Sequence, residues 1–159
     1  FNLSADGELP AISVISTHLQ HSEIPSNPEP GEVESRKLQM ARIANKIREL
    51  QSQGKLIIFT GDLNQEEGEL PPYLEGELGL HRDPSVAGLP TWGGEVWGAA
   101  LAGKAPSDPL TLDYTFVSKE LSIQTKRLDV HFDRNAFTRK ALSDHNALLS
   151  TITLPALKK

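Results

Sequence analysis

The chain is predicted to fold as an α/β domain, and three observations predict it. Leu56, Ile57, Ile58 and Phe59 form an unbroken apolar run between Gly54 and Gly61, the pattern of a strand buried on both faces. Ahead of it, Met40, Ile43, Ala44, Ile47 and Leu50 recur at three- and four-residue steps, one apolar stripe along a helix. An earlier strand, Ile12 to Thr17, precedes that helix, so strand, long connection, helix and strand form a crossover.

The chain of 159 residues is long enough for one domain with a sizeable core. Hydrophobic content of 38% with 23% charged residues belongs to a soluble globular chain and excludes a disordered one. No apolar run approaches the ~20 residues of a membrane span, so no transmembrane segment is expected. The start, Phe1 to Asp6, has neither a basic nor an apolar region of the signal-peptide kind, and lacks an initiator Met. Without Cys, disulfides, thiolate metal sites and Cys nucleophiles are excluded. The net charge of −5 argues against nucleic-acid binding by overall charge alone. The charge is uneven: six Lys/Arg against thirteen Asp/Glu in residues 1–80, ten against eight in residues 81–159. Lys126, Arg127, Arg134, Arg139 and Lys140 form either a solvated face or a rim for an anionic substrate.

In order, Phe1 to Thr17 reads as a hairpin around Asp6-Gly7 whose second strand ends at His18. Residues 21–31 hold three Pro and read as a loop. The helix runs from about Glu32 to Gln53, with Glu32 and Glu34 near its start and Gly54 just past its end. The buried strand follows, and the chain is expected to turn at Gly61, aiming Asp62 and Asn64 at a fixed point. Gln65 to Pro72 is a loop or helix start, and residues 81–111, rich in Gly and Pro, are a long ordered loop containing both Trp. Leu112 to Ser118, Ser122 to Val130 and Ala147 to Leu154 read as strands, with a turn at Leu142 to His145. No internal repeat and no interior linker break the chain.

Four short polar groups fall at strand ends: Thr17-His18, Gly61-Asp62-Leu63-Asn64, Leu112-Asp113-Tyr114 and Ser143-Asp144-His145. Each alone has a plain structural reading. A His after a strand is commonly a satisfied structural group, Gly-Asp is a common turn pair, and Asp144-His145 suits a cap. Asp113 within a strand pattern is odder, because an inward carboxylate needs a partner. A carboxylate and a carboxamide one residue apart, as Asp62 and Asn64 are, suit chemistry on metal-bound water and phosphate.

In order and context these motifs, Thr17-His18-Leu19-Gln20, Gly61-Asp62-Leu63-Asn64, Leu112-Asp113-Tyr114-Thr115-Phe116 and Ser143-Asp144-His145, resemble the signatures of the endonuclease/exonuclease/phosphatase (DNase I-like) superfamily. That group includes nucleases, inositol-polyphosphate 5-phosphatases and neutral sphingomyelinases. The match covers about residues 11 to 154, and the first two motifs lean toward the sphingomyelinase-like branch. The resemblance implies two packed β-sheets flanked by helices and hydrolysis of a phosphodiester or phosphomonoester by an activated water. It implies that His18 donates to a nonbridging phosphate oxygen and that Asp62 orients and deprotonates the water. Asn64 would hold the phosphate or nucleophile, and Asp113 would pair with His145, fixing its tautomer so that an imidazolium faces the phosphate. Asp144, with Asp62 and Asn64, would place a divalent cation, Mg²⁺ or another such as Mn²⁺. Trp92 and Trp97 read either as substrate-facing aromatics or as anchors of a Gly-rich loop.

The departure from the pattern is at the start. The resemblance implies an upstream half that supplies an Asn or Asp and the principal metal-binding Glu, and Glu8 and Glu23 stand in the wrong context to replace that Glu. These residues are therefore expected to be the C-terminal portion of one such domain, its N-terminal half absent, cleaved or in another chain, and this portion alone to be inactive. The expected substrate is a phosphate ester, a lipid head group first and DNA or RNA second. A non-catalytic binding module on the same fold is the rival from another class.

Overall fold

The computed structural model describes residues 2–3, 11–21, 29–93, 109–129, 143 and 145–155. Strand β1 (Asn2–Leu3) pairs antiparallel with β2 (Ile12–His18), as the hairpin reading requires; the expected turn at Asp6-Gly7 lies outside the described residues. Helix α1 (Pro30–Ser52) begins two residues before the expected start. Pro30 occupies the first helical position, where its missing N–H has no partner to lose, and the Glu32 carboxylate accepts from the Glu29 backbone N–H at 2.9 Å. Three Pro in the preceding loop thus include one that opens the helix. At the other end Gly54 takes φ 74°, and the N–H groups of Gly54 and Lys55 donate to Gln51 and Leu50 carbonyls, the left-handed cap expected of a Gly there.

Strand β3 (Leu56–Asp62) runs parallel to β2, and the helix makes the crossover between them. A short 3₁₀ turn (Glu67–Glu69), strand β4 (Leu80–His81) and a second 3₁₀ turn (Pro84–Val86) follow. Strand β5 (Asp113–Ser118) lies antiparallel to β3, and β4 lies on its far edge. The sheet order is β1-β2-β3-β5-β4, and β6 (Ser122–Leu128) with β7 (Ala147–Thr153) forms a second, two-stranded sheet. The last strand stops at Thr153, one residue short of the expected Leu154, and the expected end at Val130 lies outside the described residues.

Strand periodicity sorts the side chains into two layers. Ile57, Phe59, Tyr114 and Phe116 face the helix and pack with Met40, Ala44, Ile47 and Leu50 in the larger core. Leu56, Ile58, Ile12, Val14 and Val117 face the other way and pack with Ile123 and Ile152 of the second sheet. Arg36, on the helix's buried stripe, reaches the Gln20 carbonyl with Nη1 at 3.3 Å.

Candidate active site

On the face toward the second sheet, the three central strands change from apolar to polar along their length. Strand registry aligns Leu56 with Ile12, then Ile58 with Val14 and Val117, then Thr60 with Ser16 and Thr115, and last Asp62 with His18 and Asp113. A period of two keeps all of these on one face. The apolar end holds the sheets together, and His18, Asp62 and Asp113 stand in a row at the open end. Of this row Asp113 also lines a narrow cleft, together with Arg82, Thr91, Thr125 and Leu148.

Gly61 does not turn the chain. Strand β3 continues through it to Asp62, and the turn comes afterwards, at Asn64 with φ 49°. Gly61 is instead required by crowding: it sits between Thr17 and Tyr114 with φ 140°, and a Cβ there would lie 1.9 Å from the Thr17 carbonyl oxygen. Asn64 tolerates the left-handed region that its turn requires. Its backbone N–H donates to Asp62 Oδ1 at 2.9 Å, and its Nδ2 donates to the Leu19 carbonyl at 3.0 Å. Asn64 therefore locks Asp62 in place while keeping its Oδ1 and a second amide N–H for a ligand.

Asp62 Oδ2 lies between two imidazoles, 3.4 Å from His18 Nε2 and 3.6 Å from His145 Nε2. His145 is brought over the row by a backbone bridge to Trp92 and orients its Nδ1 against Asp113 Oδ2 at 2.7 Å. The inward carboxylate that the sequence left in need of a partner thus has one. The exposures differ: the Asp62 side chain is 13% accessible and the His18 side chain 70%, so His18 stands at the solvent rim. Burial, foremost, and the neighbouring Asp113 charge push the Asp62 carboxyl above its ordinary range; the Asn64 N–H and the two imidazoles pull the other way.

Ligand atoms of Asp62, Asp113 and His145 all lie within 4.8 Å of one another. Two carboxylates and an imidazole are part of the donor set of a divalent cation, which takes six or so ligands. A cation there would also relieve both causes that raise the Asp62 carboxyl. The residues fit such an ion as part of a site, with Asp113 in the cluster where the sequence pointed only to Asp62, Asn64 and Asp144. Asp144 and Trp97 lie outside the described residues, as do Glu8 and Glu23. Trp92 is half-buried, and its backbone, paired with both Leu110 and His145, anchors the loop. Sequence reasoning passed over Thr91, whose hydroxyl oxygen accepts from the backbone of Asp113; a lone Thr in a loop carries no pattern to single it out.

Two sheets with a helix against the outer face of the larger one, and carboxylates and imidazoles gathered at one end between them, define an α/β fold of the DNase I-like kind. Residues 4–145 match the Endonuclease/Exonuclease/phosphatase family, and the chain belongs to it. Its superfamily is one of metal-dependent phosphoesterases. Among curated proteins, none matches the chain. Among solved structures, TDP2 from Caenorhabditis elegans is 22% identical with a TM-score of 0.68, covering 95% of this chain and 44% of that one. TDP2 of D. rerio, complexed with single-strand DNA product, is 16% identical with a TM-score of 0.61 over 95% of this chain and 58% of its own. Beta toxin from Staphylococcus aureus is 20% identical with a TM-score of 0.55 over 94% and 55%. These likenesses show the fold, and the chain spans about half the length of the structures it resembles.

Proposed function

We propose that this chain carries the water-activating half of a metal-dependent phosphodiesterase. The observation that supports it best is the placement of Asp62 Oδ2 between the Nε2 atoms of His18 and His145, with His145 backed by Asp113. A carboxylate flanked by two imidazoles can take a proton from water while the imidazoles donate to the phosphate oxygens on which charge develops. In this reading Asp62 orients and deprotonates the nucleophile, His18 and His145 steady the pentacoordinate phosphate, and Asn64 holds the phosphate or water. Asp62, Asn64 and Asp144, with Asp113 nearby, would hold a divalent cation, which supplies charge neutralisation on the phosphate and acidifies bound water. The remaining ligands would come from an upstream half of the same domain.

For the substrate we favour a phospholipid head-group ester, on the form of the Thr17–Gln20 and Gly61–Asn64 motifs. A nucleic-acid phosphodiester is the second reading, supported by the single-strand DNA product held by D. rerio TDP2 and by the exposed cation Lys126 on β6. The test is to join the chain to its upstream segment and assay labelled DNA, sphingomyelin and inositol phosphates with Mg²⁺. Turnover of DNA alone ends the lipid reading. If Asp62→Asn and His145→Ala leave every biological effect of the full protein intact, the domain is a binding module and catalysis is not its role.

A further inference from the structure

Asp113 opens β5 and His145 stands just ahead of β7, and Thr91 and Trp92 hydrogen-bond or bridge to the chain beside each of them. Thr91 is 1% exposed. Its Oγ1 accepts from the backbone N–H of Leu112 at 3.0 Å and of Asp113 at 3.1 Å. Its carbonyl accepts from the Asn146 N–H, next to His145, at 2.7 Å. The same three residues are tied down on every side. Thr91 and Trp92 N–H groups donate to the Leu110 carbonyl, the Leu110 N–H donates back to Trp92, and Arg127 Nη1 donates to the Pro90 carbonyl at 3.1 Å.

Strand β4 covers β5 only at Val117 and Ser118. Among the described residues, no strand therefore borders the start of β5 on that side, and the Thr91 hydroxyl oxygen serves as acceptor for the N–H groups of Leu112, which is buried, and of Asp113, which is half-buried. Through its side chain and its carbonyl, one residue grips the backbone on both sides of the imidazole–carboxylate pair. We propose that Thr91 is a positioning residue that sets the separation of Asp113 and His145, and that only an oxygen acceptor at this position holds it. Neither a hydrophobic side chain of equal size nor the surrounding loop alone can replace it, because both leave the N–H groups of Leu112 and Asp113 free to shift.

The kinetic part of the test rests on the phosphodiesterase reading; the spectroscopic part does not. In the full protein, Thr91→Val is expected to move the His145 imidazole nitrogen NMR shifts toward those of Asp113→Asn. It should also lower kcat by about tenfold or more while KM stays within about twofold, the signature of a displaced group rather than a lost binding contact. Thr91→Ser, which keeps the oxygen, is expected to restore both. Should Thr91→Val not fold, Thr91→Ala, which likewise lacks the hydroxyl oxygen, carries the same comparison. His145 shifts that superimpose on the native ones in the folded Val or Ala variant overturn the proposal. A native protein that hydrolyses no phosphodiester removes the function proposed above, and the imidazole shifts still decide this one.

Discussion

His145 and Asp113 meet at 2.7 Å, Nδ1 to Oδ2, across 32 residues of chain. With Nδ1 committed to a carboxylate, the imidazole turns Nε2 toward Asp62 and the open end of the sheets. Asp113 thus decides both the tautomer and the direction of the ring. Asp113→Asn is expected to lower kcat by about 10²-fold or more, by analogy with other carboxylate-oriented imidazoles, with a smaller change in KM. Steady-state kinetics on the full protein measure it, and an unchanged kcat would remove the orienting role.

Asp62 couples stability to pH. Its carboxyl is raised, chiefly by burial and then by Asp113, so the fold favours its protonated form. For a raised group, the stabilisation is present below the unfolded pKa and is lost as pH rises through the folded one. In metal-free protein at neutral pH, Asp62→Asn is therefore expected to be more stable than native by on the order of 1 kcal/mol, while turnover falls. Thermal melts at several pH values check this; the gain should shrink as pH falls toward the ordinary carboxylate range.

Chelation tests the cation. Treatment with EDTA is expected to abolish turnover by the full protein and added Mg²⁺ or Mn²⁺ to restore it, as two clustered carboxylates beside a phosphate require a counter-charge. Turnover that survives chelation and dialysis would point to a metal-free hydrolase.

Gly61→Ala should be among the most damaging single changes. The added methyl would meet the Thr17 carbonyl at 1.9 Å in a backbone conformation unfavourable to any side chain, so β2 and β3 must separate where His18 and Asp62 stand. A loss of about 3 kcal/mol or more is expected, read from denaturant or thermal unfolding. A stable, well-folded Ala variant would contradict the crowding at this position.

Tyr114 links the segments on either side of the site. Its hydroxyl lies 2.9 Å from the Gln65 carbonyl and 2.7 Å from the Thr111 carbonyl, and burial pushes its phenol well above the ordinary range. Tyr114→Phe keeps the ring packed against Phe116 and removes the donor. A destabilisation of about 1–2 kcal/mol is expected from unfolding measurements, and an unaffected stability would show that the hydroxyl holds neither segment.

The apolar run of β3, the stripe of α1 and the four polar motifs were legible because each is a local pattern of hydrophobicity and short spacing. The sequence pattern puts the helix start two residues late because Pro30 reads as a loop breaker until its position in the first turn is known. Gly61 reads as a turn in the sequence because sequence shows that a Gly is permitted an unusual backbone, not which neighbour crowds it. Thr91 and Arg36 were invisible for the same reason: their partners, the Asp113 N–H and the Gln20 carbonyl, are 22 and 16 residues away.

By itself, then, the order of residues determined which segments become strands and helix, and that His18, Asp62, Asp113 and His145 end up at segment ends. Periodicity and apolar runs are properties of neighbours along the chain, so they survive without coordinates. Only the tertiary structure decided that registry sets His18, Asp62 and Asp113 side by side and that Thr91 bridges β5 to His145. Those relations depend on hydrogen-bond partners far apart in sequence, and no local pattern specifies them.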